Sequence, residues 1–205
     1  EAHFESIGAI AFLTFNRPEA RNALTWAMYD ALVQACDRVD DDDTLRVFVV
    51  RAVGDAFAAG TDIRQFTEFA SGDDGIAYER RLDAVIDRLE RVSVPTIAQV
   101  HGVAAGGGCA IALTCALRVC TPSAQFGVPI ARTLGNCLSA ASLARLVDLV
   151  GPARTKDLLF TGRFLDATEA ASLGLVTRIA ELDGIDDVVR DLAQSIAANA
   201  PLTIR

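Results

Sequence analysis

The sequence predicts a single α/β domain over residues 1–205, with strands that pair mostly in parallel. Three observations carry that prediction. Apolar, β-prone runs alternate with helical patterns as β-α-β-α-β-α, and strands joined by helical crossovers lie parallel. At 205 residues, 51% hydrophobic and 22% charged, the chain can fill a core and is too apolar for disorder. No exact internal repeat and no low-complexity linker divides it.

The elements follow in order. Ile7 to Phe15 is apolar around one glycine and stops at Asn16-Arg17-Pro18, as a strand or hairpin arm does. Thr25 is placed as an N-cap before Met28, Leu32, Cys36 and Val39, which recur at helical spacing. The acidic run Asp40 to Asp43 reads as a solvated turn, because negative charge at a helix C-terminus gains nothing from the macrodipole. Val47-Phe48-Val49-Val50 is a continuous apolar run of the buried-strand kind, and a glycine-rich loop from Gly54 to Asp62 follows it. Gly72 to Gly75 reads as a mobile polar connection. Leu82, Val85, Ile86 and Leu89 then mark the apolar face of a charged helix. Pro95 to Val100 is a strand leading into Gly106-Gly107-Gly108, and Cys109 to Ala116 a buried helix. Arg118 to Cys120 and Gln125 to Gly127 read as short strands. From Ser139 the pattern is helical, with one strand at Leu175 to Ile179.

Composition excludes several functions. A net charge of −8 argues against a nucleic-acid partner, which needs a basic surface. A phosphate-bearing small molecule stays possible, since a few local arginines reverse the field in one cleft. The five cysteines (Cys36, Cys109, Cys115, Cys120 and Cys137) are odd in number, sit mostly in apolar stretches and form no C-x-x-C pair. That usage suits reduced, buried thiols in a cytoplasmic protein. With only His3 and His101, a His-rich metal site is not expected. No run reads as a signal peptide or membrane span, and the longest apolar stretch, Val94 to Leu117, is interrupted by Pro95, His101 and three glycines. The chain lacks an initiating methionine and stops at Leu202-Thr203-Ile204-Arg205, on the apparent start of a helix, so it reads as trimmed at both ends.

Two glycine loops follow strands and lead into helices. The first N–H groups of a helix have no intrahelical partner and carry partial positive charge. Glycine also lets backbone approach a ligand where a Cβ would collide. Gly106-Gly107-Gly108 therefore suits an oxyanion, although the same glycines equally suit close helix–sheet packing.

Taken together the loops resemble those of the crotonase family, the enoyl-CoA hydratase/isomerase superfamily. The resemblance rests on Asn16 to Leu24 (NRPEARNAL), Ala56 to Ile63 (AFAAGTDI), Ala98 to Cys109 (AQVHGVAAGGGC) and Ala124 to Pro129 (AQFGVP), then Leu159 to Gly162 (LFTG) and Ala170 to Val176 (AASLGLV). It covers essentially the whole chain. The resemblance implies a spiral of ββα turns with further trimerisation or lid helices beyond Arg205, and a homotrimer or hexamer. It implies an acyl-coenzyme A thioester as substrate, with no permanently bound cofactor, no metal, no nucleic acid and no membrane. The family's oxyanion hole falls on the backbone N–H groups of Thr61 and Gly107, and Gly106 stands beside it. Ala20, Arg21 and Asn22, with Asp62, Ile63 and Arg64, fall on the coenzyme A groove. Arg21 and Arg64 are candidates for its phosphates. Asp62 is expected to accept backbone N–H bonds rather than do chemistry.

The chain departs from the family at the acids. Hydratases use two glutamates of tuned pKa to activate water and deliver a proton. At those positions stand Ala110 and Ile130. An isomerase acid several residues further on is absent as well, that region reading Asn136-Cys137-Leu138-Ser139. Two-glutamate hydration is therefore not expected. Arg132 and Asn136 are candidates for a polar acyl group such as a carboxylate, or for capping a helix. Cys137 is either a nucleophile or a small buried hydrophobe, and no histidine partner is evident for it. His101 is expected to pack. Two functions are compatible with this pattern: an enzyme working through a thioester enolate, and an acyl-CoA-binding or assembly protein that has lost turnover.

Overall fold

Two strands rather than one form from the first apolar run, because Gly8 takes a left-handed φ of 59° and turns the chain back. Strand β1 (Ala2–Ile7) pairs antiparallel with β2 (Ile10–Phe15), Ile7 opposite Ile10. The structure is a computed structural model and describes residues 1–67, 71–133 and 138–204. Helix α1 (Trp26–Asp41) starts where expected, the Thr25 Oγ1 accepting the Met28 N–H.

The acidic run is exposed and the chain turns at Asp43, in keeping with the solvated-turn reading except at its start. Helix α1 runs on to Asp41, and the Asp40 carboxylate accepts the Ser93 N–H at 2.8 Å and pairs with Arg88 at 2.7 Å. Those two donors offset the unfavourable charge at the helix end. After β3 (Val47–Ala52), Gly72 to Gly75 forms the first turn of α2 (Gly72–Glu90) and not a connection. Asp74 reaches back to accept the Ser71 N–H at 2.8 Å, and a capped helix start outweighs the cost of two glycines.

From β4 (Thr96–Val100) the chain passes at Gly102 into β5 (Val103–Ala105) and then α3 (Gly107–Thr114). It repeats that path through β6 (Leu117–Cys120), β7 (Gln125–Gly127) and α4 (Ile130–Thr133). The rest comprises α5 (Ala140–Thr161, broken where Gly151 has φ 79° ahead of Pro152), β8 (Leu165–Asp166), α6 (Ala167–Ser172), β9 (Arg178–Ile179), α7 (Ile185–Ala197) and α8 (Pro201–Ile204). The expected strand from Leu175 to Ile179 is shorter, because the Leu175 and Val176 N–H groups both return to the Ala170 carbonyl and close α6.

A six-stranded sheet has the order β1-β2-β3-β4-β6-β9, parallel except at β1–β2. The second sheet, β5-β7-β8, lies across the first, and each of two successive turns contributes one strand to either sheet before its helix. The preceding turn follows the same course in reduced form: β3, a single bridge from Ala58 to Ala104, then α2. This is the expected spiral of ββα turns.

Strands buried on both faces explain the unbroken apolar runs. Phe48 and Val50 of β3 point into the main core with Leu13, Phe15, Met28 and Leu32. Val47 and Val49 alternate to the other face, where Ile10, Phe12 and Ile97 meet Val189 and Leu192 of α7. The core holds the carboxyl ends of the parallel strands in place, and both glycine loops leave from those ends.

Candidate active site

Backbone pairing fixes the first loop. The Ala58 N–H donates to the Val103 carbonyl at 3.1 Å, and the Ala105 N–H returns to the Ala58 carbonyl at 2.9 Å. Three residues on, the Leu24 N–H meets the Gly60 carbonyl at 2.7 Å and the Asp62 N–H meets the Leu24 carbonyl at 2.9 Å. Successive residues of extended backbone present their N–H groups to opposite edges. The Thr61 N–H therefore points away from Leu24, towards the side of Ala105 to Gly107.

The second loop supplies its partner. Gly106 has φ 49°, and its N–H is held by the Gly127 carbonyl at 3.0 Å. Gly107 is the first residue of α3, so its N–H has no intrahelical acceptor. A Cβ on Gly106 would lie 3.8 Å from the Gly60 Cα, which puts the two turns in van der Waals contact. The three glycines do separate jobs. Gly106 supplies the left-handed turn, and a Cβ on Gly108 would strike the Ala58 carbonyl oxygen at 2.4 Å. A Cβ on Gly107 would strike the Tyr29 hydroxyl at 2.2 Å. Close packing, one of the two alternatives for this run, is served at Gly107 and Gly108.

Thr61, Gly106 and Gly107 line one cavity of about 200 Å³. Its walls are mainly apolar, with Phe66, Leu82, Ala110, Val128 and Ile130 among the lining residues. Over the loops lies a chain of three hydroxyls. The Thr61 Oγ1 is 2.8 Å from the Tyr29 hydroxyl and 2.7 Å from that of Tyr78. Burial pushes both phenols above their ordinary range, so they remain protonated hydrogen-bond donors across working pH.

Ala110 and Ile130 both face the cavity, as the sequence placed them, and bring no carboxylate. Ser139 lines it too. Arg132 does not: its aliphatic stem lies over Gly162, where a Cβ would meet the Arg132 Cδ. Asn136 and Cys137 fall outside the described residues. Arg21 is exposed in a left-handed conformation (φ 50°), next to Ala20. Asn22 is fully buried, accepting the Arg17 N–H at 2.8 Å while its amide donates to the Val53 and Ala56 carbonyls. It ties the Ala20–Asn22 turn to the Gly54–Asp62 loop.

Asp62 behaves as expected for a loop carboxylate. It accepts the Arg64 N–H at 3.1 Å and pairs with Arg64 at 2.6 Å and Arg17 at 2.8 Å. The Arg64 hydrogen bonds, with Arg17 behind them, hold its carboxyl well below the usual carboxylate range. Arg64 itself is largely exposed, as is Ile63. The four described thiols are buried, and burial pushes Cys36, Cys109 and Cys115 up to about 12 and Cys120 up to about 11. His101 is packed, with burial lowering its pKa against a backbone contact from Gly54.

Four cavity-side residues escaped the sequence reading: Tyr29, Tyr78, Glu79 and Asp83. Tyr78, Glu79 and Asp83 lie on the wall formed by α2. Their signal was present, since 78 and 82 share one helical face with 79 and 83 beside it, but only the aliphatic periodicity was read. Among the described residues, no group of three or more His, Cys, Asp and Glu side chains is placed to hold a metal, and no helix is long and apolar enough to cross a membrane.

The geometry can be set beside known proteins. Residues 5–205 match the family model described as enoyl-CoA hydratase/isomerase. The chain belongs to that family. A probable enoyl-CoA hydratase of Mycobacterium bovis is 34% identical over 92% of this chain and 72% of its own length. A short-chain-enoyl-CoA hydratase of Clostridium acetobutylicum is 32% identical over 98% of this chain and 77% of its own. The crystal structure of an enoyl-CoA hydratase/carnithine racemase from Magnetospirillum magneticum superposes with a TM-score of 0.93, at 36% identity, over 98% of this chain and 76% of that one. Membership of the enoyl-CoA hydratase/isomerase family makes the chain a crotonase-fold, acyl-CoA-processing protein, and accounts for both glycine loops within one architecture.

Proposed function

We propose that this enoyl-CoA hydratase/isomerase family member is an enzyme that binds an acyl-coenzyme A thioester and stabilises its enolate between the N–H groups of Thr61 and Gly107. The observation that carries the proposal is the contact of two turns, one with an N–H directed away from its strand partner and one at a helix start, on the wall of a single apolar cavity. Two fixed donors aimed at a developing oxyanion need no reorganisation as charge builds, and each contributes about 3–4 kcal/mol in comparable sites. Ala20, Arg21 and Asn22, with Asp62, Ile63 and Arg64, form the coenzyme A groove. Asn22 and Asp62 act there by holding the backbone, while exposed Arg21 and Arg64 face the phosphates. The substrate is the only coenzyme required, and the working form is a cytoplasmic homotrimer or hexamer.

The acyl group is uncharged. Arg132 is not on the cavity wall, whereas Glu79 and Asp83 are, so an acyl carboxylate would meet like charge. Ala110 and Ile130 leave no pair of acids at the positions used for hydration, which favours proton transfer over water addition. The same two residues favour, as a second reading, a binding or assembly protein without turnover. Incubation with a panel of saturated, 2-enoyl and 3-enoyl CoA thioesters, followed by ultraviolet absorbance and mass, distinguishes these. The expected result is isomerisation or deuterium uptake without gain of water. Binding without any change would establish the second reading. A gain of one water on crotonyl-CoA would overturn the assignment of proton transfer.

A further inference from the structure

We propose that Asp83 is the catalytic proton carrier of this site, working from α2 in the cavity that Ala110 and Ile130 also line. The inference rests on the enolate reading and identifies the group that reading lacks.

Most acids of the second half of α2 are already committed. Asp87 lies within 4 Å of both Arg91 and Arg145, at 3.9 and 3.8 Å, and Glu90 pairs with Arg145 at 2.6 Å. Asp83 lies one turn before Asp87, half-buried on the cavity wall, and makes no ion pair or hydrogen bond among the described residues. Arg145 attracts it only from a distance, its guanidinium being engaged by Glu90. A carboxylate without a partner on a mostly apolar cavity wall is free to meet a ligand. Glu79, one turn earlier on the same face, lies nearer the hydroxyl chain and has interactions of its own.

The chemistry follows from a single carboxylate. Asp83 takes a proton from the acyl chain next to the thioester, and the C–H electron pair moves into the enolate held by the two N–H groups. The protonated Asp83, partly open to solvent, exchanges its proton with water and delivers one back, to the original carbon or, through a dienolate, to the carbon two positions away. The first outcome is α-proton exchange and the second a 3-enoyl to 2-enoyl double-bond shift. Neither consumes a co-reactant. Hydration needs separate groups for water and for carbon, which one carboxylate does not provide.

Asp83→Asn keeps shape and removes the base. With a 3-enoyl-CoA in deuterium oxide, the wild-type protein should incorporate deuterium and form the conjugated product. D83N should do both at least about 100-fold more slowly, with KM changed less than about threefold. D87N, one turn further along α2 and off the cavity wall, should stay within about fivefold of wild type. A structural role for Asp83 would instead raise KM or lower Tm, so the folded state and acyl-CoA binding of D83N are measured alongside. Exchange by D83N within about threefold of wild type overturns the assignment of Asp83 and leaves the enolate reading standing. Failure of the wild-type protein to bind any acyl-CoA overturns both.

Discussion

At Gly107 a single hydrogen atom stands where a methyl group would meet the Tyr29 hydroxyl at 2.2 Å. Helix position and side-chain size can therefore be tested separately. The first residue of a helix tolerates proline, because its N–H has no intrahelical acceptor, so Gly107→Pro removes one proposed donor with little cost to the helix. Tyr29→Phe removes the 2.2 Å contact, leaving the Thr61 Oγ1 at 3.2 Å as the tightest neighbour. The double variant should lower kcat by roughly 100- to 1,000-fold relative to Tyr29→Phe alone, the range for loss of one oxyanion donor. A rate within threefold of the Tyr29→Phe parent, measured on any accepted acyl-CoA, would mean that the Gly107 N–H does not bear on the reaction.

Helix α3 has its open N–H end at the cavity and its carbonyl end in the core. There Arg118, buried to 5% exposure, gathers the carbonyls of Ala112, Leu113, Cys115 and Ala116 together with that of Leu175. A cation at this end complements the macrodipole and satisfies carbonyls that would otherwise be orphaned. It also links α3 to the segment following α6. Arg118→Met fills similar volume but leaves those acceptors unpaired, and should destabilise the protein by roughly 2–4 kcal/mol. Urea unfolding reads the change as a lower midpoint. An unchanged midpoint would show that the carbonyls find other donors.

Across the whole molecule, acidic groups tied to arginines set the acid limit of stability. Asp62, Glu90 and Glu169 all have carboxyls held below their ordinary range, chiefly by hydrogen bonds from Arg64, Arg145 and Arg163 respectively. A group whose folded pKa lies below its unfolded value stabilises the fold above the unfolded value, about 4. That contribution is lost as pH falls through the folded pKa. Asp62→Asn should therefore lower Tm at pH 7, and the gap from wild type should narrow as pH drops below about 4. A gap independent of pH would assign the loss to packing. Two of these pairs join separate elements, α2 to α5 and the end of α5 to α6, while Asp62 makes its long-range link through a further pair with Arg17.

The sequence by itself determined the α/β class, the core strands, the Thr25 cap and both glycine loops, because each depends on local periodicity or on backbone freedom at one residue. It also determined that Ala110 and Ile130 cannot carry a proton, whatever surrounds them. It misread Gly72 to Gly75 and the start of the Asp40 to Asp43 run, where Asp74, Ser93 and Arg88 supply partners that composition alone does not reveal. Only the tertiary structure decided that α2 turns Tyr78, Glu79 and Asp83 towards the loops, and that Arg132 lies over Gly162 instead of facing the cavity. Helical spacing says which residues share a face, but the rotation of that face towards a cavity is fixed by packing against α1 and α3, through contacts far apart in the chain.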